Sequence, residues 1–213
     1  MRDVAALTGM HPSYLARVET GEVHASFPAL VRIGLALGAE LNIKFFSGVG
    51  PRLHDRFQAP MVEAVLRRLH PRWLARVEVP ISGSVRGVAD LVLDERTARM
   101  TIVGEAQSEF RGLEERIRWF AEKTEAISER LKRDGRPREV SRLLIIRSTV
   151  NTREMARRYA ATLSAAYPAS STAVFDALTG TSTWPGAGII WVRLDRGVAE
   201  LLRRPPRGVV VGR

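Results

Sequence analysis

The stretch that most constrains the fold is SRLLIIRST, residues 141–149, whose centre is a nearly continuous apolar run. A strand buried on both faces has this composition, whereas a strand with one solvated face alternates apolar and polar residues. We therefore expect a central strand here, in a sheet covered by helices on both sides. With 213 residues and 45% hydrophobic content, the chain can bury such a core and hold a small second module.

The segments around this strand predict an α/β domain with a mixed central sheet over residues 59–213. A long amphipathic helix is predicted just before it, because Leu113, Ile117, Phe120, Thr124, Ile127 and Leu131 recur at spacings of four and three. The other predicted elements are, in order, a helix at 60–71, strands at 73–82, 85–94 and 98–108, a helix at 153–168, and strands at 171–178 and 188–195. We expect the basic end, RRPPRGVVVGR, to be a solvated tail, and the alternative is that it touches phosphates.

Short helices with tight turns are predicted for residues 1–46, and residues 47–58 are predicted to be a linker. Gly9, Gly21 and Gly38 are natural left-handed helix stops. The third helix has Ser26 as a candidate N-cap and Pro28 in its first turn. The apolar residues expected to point inward are Val4, Leu7, Leu15, Val18, Leu30, Ile33 and Leu37.

Composition excludes several classes of protein. The chain has no cysteine, so disulfide frameworks and thiolate metal sites are ruled out. Its start has no signal-peptide pattern, and no apolar run approaches the roughly 20 residues of a membrane span. We therefore expect a cytoplasmic protein without membrane contact. The tryptophans Trp73, Trp184 and Trp191 are expected in the core or on a sheet face.

The net charge of +10, with a sequence pI near 11.1, favours a polyanionic partner. An alternative is that the arginine excess reflects genome composition, since only three of the 33 basic residues are lysine. Residues 1–58 hold six basic and five acidic residues, a net of +1, so the remaining chain holds +9.

Two carboxylates are predicted to meet near the ends of neighbouring strands. Glu105 and Gln107 project to one side of their strand, and Asp90 shares a side with Val88 and Val92 on the strand before it. A hairpin through residues 94–98 would bring the strands together, with Asp90 either beside Glu105 or diagonal to it. Because close carboxylates repel, magnesium is the usual ion between them. Taken singly, Asp90 could instead cap a turn, and Glu105 could be an exposed residue at an edge.

The N-terminal helices resemble the helix-turn-helix of the lambda-repressor-like (Xre) family over about 40 residues. The matching residues are Ala5, Gly9, Ser13, Tyr14, Leu15, Glu19 and Gly21. The family normally has a further helix before the motif, whereas this sequence starts inside the counterpart of its second helix, so the resemblance is truncated. It implies that a homodimer binds double-stranded DNA, with major-groove contacts from His11, Pro12, Ser13, Ala16 and Arg17. The alternative is a small helical bundle that serves protein contacts, or a relic that no longer binds DNA.

Residues 59–195 resemble the PD-(D/E)XK nuclease superfamily, the restriction-endonuclease-like fold, in their αβββαβ element order. The resemblance assigns Asp90 and Glu105 to a magnesium site, with Glu63 as an additional acidic ligand. Gln107 stands where the family usually has lysine, and glutamine cannot supply a positive charge to the transition state. Lys123, on the following helix, is a candidate for that catalytic role, and the alternative is a solvated lysine.

Three functions follow from these patterns. The favoured one is a sequence-specific transcriptional regulator whose nuclease-like domain, with its catalytic activity left open, binds the DNA backbone, an effector or a second subunit. The second is a magnesium-dependent DNA endonuclease of a defence or repair system. The third is an antitoxin-like protein that binds both DNA and a toxin.

Overall fold

The computed structural model describes residues 2–20, 22–39, 57–83, 85–95, 97–110, 112–195 and 198–212. The chain divides into two compact units, Met1–Arg52 and Leu53–Arg213. The N-terminal unit contains α1 (Arg2–Thr8), α2 (Pro12–Glu19) and α3 (Phe27–Ala36). The predicted linker falls outside the described residues up to position 56, and its last residue, Gln58, begins α4. The predicted stop at Gly21 also lies outside the described residues.

In the N-terminal unit α1 packs against α2 and α3, and the buried side chains are mostly small. Ala5, Leu15 and Ala29 are buried, and Gly9 and Gly38 adopt the expected left-handed conformation, with φ of +65° and +66°. The inward placement predicted for Leu7, Leu30 and Leu37 is wrong, since these side chains are exposed. Alanines bring the helices close over a narrow contact, which leaves the leucines on either side uncovered.

The second unit is an α/β structure around one six-stranded mixed sheet. Its elements are α4 (Gln58–Arg68), β1 (Trp73–Ile81), β2 (Gly87–Glu95), β3 (Met100–Gln107), α5 (Leu113–Arg133), β4 (Glu139–Arg147), α6 (Val150–Arg158), α7 (Ala160–Ala166), α8 (Ser171–Thr179), β5 (Gly188–Asp195) and β6 (Val198–Leu202). The strands lie in chain order across the sheet. β4 pairs in parallel with β3 and β5, and the other pairs are antiparallel.

Helices cover both faces of this sheet, as the apolar run of β4 predicts. On one side, here called the α4 face, Leu143 and Ile145 join a core that includes Met61 of α4. On the other side, the α5 face, Leu144 and Ile146 join a core that includes Phe120 of α5. Strand alternation therefore divides the apolar residues of β4 between two cores.

The structure differs from two predicted elements and adds one that was not predicted. Residues 171–178 form the helix α8 rather than a strand, and the Ser170 hydroxyl caps it by accepting a hydrogen bond from the Ala173 N–H. A short apolar run of this kind does not distinguish a strand from a buried helix. The helix predicted at 153–168 is divided at Tyr159 into α6 and α7, and the edge strand β6 was not predicted.

The C-terminal segment is part of the structure rather than a solvated tail. Val209 and Val211 are buried in the α5-face core, whereas Val210 between them is 75% exposed. The Gly212 N–H donates to the Ser164 hydroxyl of α7 at 3.3 Å. Alternate valines thus fasten this segment to the domain. No helix among the described residues is long and apolar enough to cross a membrane.

Candidate functional site

The hairpin of β1 and β2 changes faces at Asp90. Leu91 packs in the α4-face core, whereas Ala89 packs in the α5-face core. On β1 the register position opposite Asp90 is Glu78, between the pairs Val77↔Leu91 and Val79↔Ala89. Glu78 has a φ of +51°, in the left-handed region that non-glycine residues rarely occupy. The ribbon therefore twists sharply at this pair of acidic residues.

The Asp90 carboxylate continues the pairing between β2 and β3 beyond the end of their backbone ladder. The register ends at Leu91↔Gly104, and Asp90 Oδ2 then accepts a hydrogen bond from the Ala106 N–H at 2.8 Å. The Gln58 side-chain amide donates to the Ala106 carbonyl at 3.0 Å. The side chains of Asp90 in β2 and Gln58 in α4 thus form hydrogen bonds with the backbone N–H and the backbone carbonyl of Ala106.

Asp90 lines a cavity of about 180 Å³ beside α4. Its other polar neighbours there are Gln58, Glu63 and Glu78, and the apolar ones include Val62. The prediction that Asp90 shares a side with Val92 is wrong, since Val92 packs in the α5-face core. Strict alternation fails because the twist at Glu78 and Asp90 turns the strand over. Glu63 is brought to the same cavity as Asp90, and its carboxylate also lies 3.5 Å from Arg67 on an exposed part of α4.

Glu105 contacts a different helix. The Lys123 ammonium of α5 lies 2.7 Å from Glu105 Oε1 and donates to the Val88 carbonyl at 2.9 Å. The Lys123 side chain is 3% exposed and that of Glu105 is 11% exposed. The alternative interpretations, that Lys123 is solvated and that Glu105 is exposed at an edge, are therefore both wrong. A Cβ at Gly87 would lie 3.2 Å from Lys123 Cε, so the glycine leaves room for this lysine.

Gln107 is also held by α5, because its side-chain oxygen accepts a hydrogen bond from Arg116 at 2.7 Å. The glutamine that replaces the expected lysine therefore stands beside a guanidinium. Arg116 and Lys123 are seven residues apart, two turns along one side of α5. The structure thus brings Glu105, Gln107 and Lys123 together, with Arg116 as a fourth member.

Two further charged or polar residues near this site were missed by the sequence analysis. Burial raises the pKa of the Tyr167 phenol well above its usual range, the nearby Arg142 guanidinium lowers it, and the negative charge of Glu105 raises it. The Arg142 guanidinium lies 5.5 Å from the centre of the Tyr167 ring. No spacing in the sequence links Tyr167 to Glu105, since α7 and β3 meet only through the fold.

The predicted magnesium ligands are divided between two places in the structure. Asp90 and Glu63 line the cavity beside α4, whereas Glu105 is bound to a lysine of α5. No group of three His, Cys, Asp or Glu side chains in the described parts of the chain is arranged to hold a metal ion. Asp90, Glu105 and Glu63 therefore do not form one joint site in this conformation. Magnesium held by fewer carboxylates stays a prediction.

The predicted DNA-reading residues surround the start of α2. His11 is the N-cap, and its Nδ1 accepts a hydrogen bond from the Ser13 N–H at 3.3 Å and lies 2.6 Å from the Ser13 hydroxyl. His11, Pro12, Ser13 and Arg17 are exposed, and Ala16 is half-buried. Arg17 lies 3.5 Å from Glu22, and both side chains are more than half exposed. The start of α2 is thus capped by a side chain and open to solvent.

Comparison with protein-family models, curated proteins and solved structures found no match to this chain.

Proposed function

We propose that this protein is a sequence-specific DNA-binding regulator in which α2, in a helix-turn-helix, enters the major groove as part of a dimer. The observation that carries the proposal is the start of α2, where four of the five predicted contact residues are exposed on a capped helix whose Leu15 is buried. A helix N-terminus of this kind can reach base edges while its opposite side stays packed. The α/β unit, with a restriction-endonuclease-like arrangement, has a non-catalytic role in this proposal.

Arg17 is the residue expected to contribute most to base recognition. Its ion pair with Glu22 is exposed and therefore weak, so a guanine edge or a phosphate can replace it. Arg32 on α3 is also exposed and provides a matched change of charge within the same unit.

The test is selection of duplexes from a random-sequence pool by the full chain, followed by binding measurements on the selected site. Arg17→Ala should weaken binding to that site by about 1–3 kcal/mol and relax the preference at one base position. Arg32→Ala should leave the base preference unchanged. If no sequence is enriched, or if the Arg17 and Arg32 variants behave alike, the proposal is wrong.

A second candidate function, a metal-dependent DNA endonuclease, is favoured by Lys123. Its ammonium lies beside Glu105 and so supplies the positive charge that Gln107 lacks. A magnesium ion would supply water activation and charge neutralisation. The chain's own contribution would be the Lys123 charge near the reacting phosphate.

Supercoiled plasmid incubated with magnesium or manganese separates the two candidates. Cleavage that is abolished by Asp90→Asn or Glu105→Gln, but not by Glu139→Gln at the exposed start of β4, would support the endonuclease. Intact plasmid with a retained shift of the selected duplex would support the regulator.

A further inference from the structure

Trp119 differs from the other three tryptophans in its exposure. Trp73, Trp184 and Trp191 are between 0% and 6% exposed, as expected for core residues, whereas Trp119 is 42% exposed. Trp119 is the one tryptophan of the described residues whose ring is available to a partner in solution. The packing of α5 does not account for it, because Phe120 supplies the aromatic contact to the core.

Trp119 lies on α5 next to the two residues that hold side chains of β3. Trp119 is three residues after Arg116 and four before Lys123, so the three side chains lie on adjoining parts of the helix surface. Arg116 donates a hydrogen bond to Gln107, and Lys123 donates one to Glu105. These bonds hold Arg116 and Lys123, the helix neighbours of Trp119, against β3. The exposed indole therefore adjoins the two residues that hold Gln107 and Glu105.

We propose that Trp119 stacks on an unpaired nucleobase and that Trp119, Arg116 and Gln107 form a binding site for single-stranded nucleic acid. An indole beside a guanidinium is the combination that sequence-tolerant single-strand sites use, since every base has a π-face and every nucleotide a phosphate. The bases inside a duplex cannot stack on the indole, because both faces of each internal base are already stacked.

The charges around Trp119 indicate on which side of the indole the backbone of the bound nucleic acid lies. Glu115 and Glu122 are exposed and lie four residues before and three residues after Trp119, on the side of it away from Arg116. A phosphate is repelled on that side and attracted towards Arg116. The backbone of the bound strand therefore runs past Gln107, with a base on the indole. This inference goes beyond the proposed function and does not require it.

The experiment uses the full chain and a short oligothymidylate. Since the other tryptophans are buried, quenching of tryptophan fluorescence on titration reports on Trp119. Trp119→Ala should weaken binding of a labelled oligothymidylate by about 5- to 150-fold, measured by anisotropy, whereas Trp119→Phe should retain most of the affinity. Leu74→Ala is the matched control, because Leu74 is a 50% exposed apolar residue of β1 in the same unit.

Competition separates stacking from charge. Inorganic polyphosphate carries the charge without bases, so it should displace oligothymidylate poorly and should not quench the fluorescence. Absence of quenching, or equal affinity of the wild type and Trp119→Ala, would overturn the proposal. Binding of the selected duplex should be unchanged in Trp119→Ala. A negative result with oligothymidylate would therefore not contradict the proposed function. A negative result with duplex DNA would not prevent the test with oligothymidylate.

Discussion

Replacing Lys123 by methionine removes the cation from a buried ion pair while keeping the length of the side chain. In the wild type, the ammonium lies 2.7 Å from the Glu105 carboxylate and donates to the Val88 carbonyl. The two side chains are 3% and 11% exposed, so water cannot take over the lost contacts. Removing one member of a buried ion pair costs about 3–5 kcal/mol, and we expect Lys123→Met to lower the free energy of unfolding by this amount.

A double-mutant cycle isolates the pair. Glu105→Gln leaves the Lys123 charge buried without its partner and should be destabilising to a similar degree. The variant carrying both Glu105→Gln and Lys123→Met contains neither charge, and replacing a whole buried pair is often close to neutral. We therefore expect the double variant to be more stable than either single variant.

Urea unfolding followed by tryptophan fluorescence is the assay, because all four tryptophans belong to the unit Leu53–Arg213. With a urea dependence of about 2 kcal/mol per molar, the expected loss shifts the midpoint by about 2 M. Lys132→Met, at the exposed end of α5, should change the free energy of unfolding by less than about 0.5 kcal/mol. A shift of less than about 0.5 M for Lys123→Met, or additive effects in the cycle, would refute the reasoning.

Three further predictions concern stability measured in the same way. Gly188→Ala should lose about 1–3 kcal/mol, because its Cβ would collide with Val174 and lie 3.2 Å from the Cβ of Ala169; an unchanged midpoint would contradict this packing. The pair Val209→Ala and Val211→Ala should together lose about 3 kcal/mol, whereas Val210→Ala, at a 75% exposed position, should lose almost nothing; equal effects would mean that the segment is not docked. Folding raises the pKa of the Tyr167 phenol above its ordinary value of 10.0. The stability that the protonated phenol contributes is therefore complete below pH 10.0 and is lost as the pH rises through the pKa of the folded state. Stability should therefore fall above pH 10.0, and Tyr167→Phe should reduce that fall; identical profiles would exclude this group as the cause.

Patterns that depend on local periodicity were predicted well from the sequence. The apolar run of β4 identified a strand covered on both sides, and the spacing of apolar residues identified α5 to within two residues at each end. Both signals come from burial of one or two faces of a regular element, which the order of residues records directly. Lys123 was singled out for its place on α5, although its burial was not predicted.

The position of Asp90 could not be predicted in the same way. Alternation assigned it to the side of Val92, but the twist opposite Glu78 moves it to the cavity beside α4. The prediction of a strand at residues 171–178 was wrong, since these residues form α8. A short apolar run is compatible with a strand or a buried helix, and packing against the sheet decides between the two.

The sequence by itself determined that this chain forms a covered mixed sheet with an acidic residue, Asp90 or Glu105, in each of two neighbouring strands. Only the tertiary structure decided which groups those carboxylates face: Asp90 meets a backbone amide and α4, and Glu105 meets Lys123. The physical reason is that hydrophobic periodicity is recorded residue by residue, whereas strand twist and the pairing of buried charges depend on contacts between segments far apart in the chain.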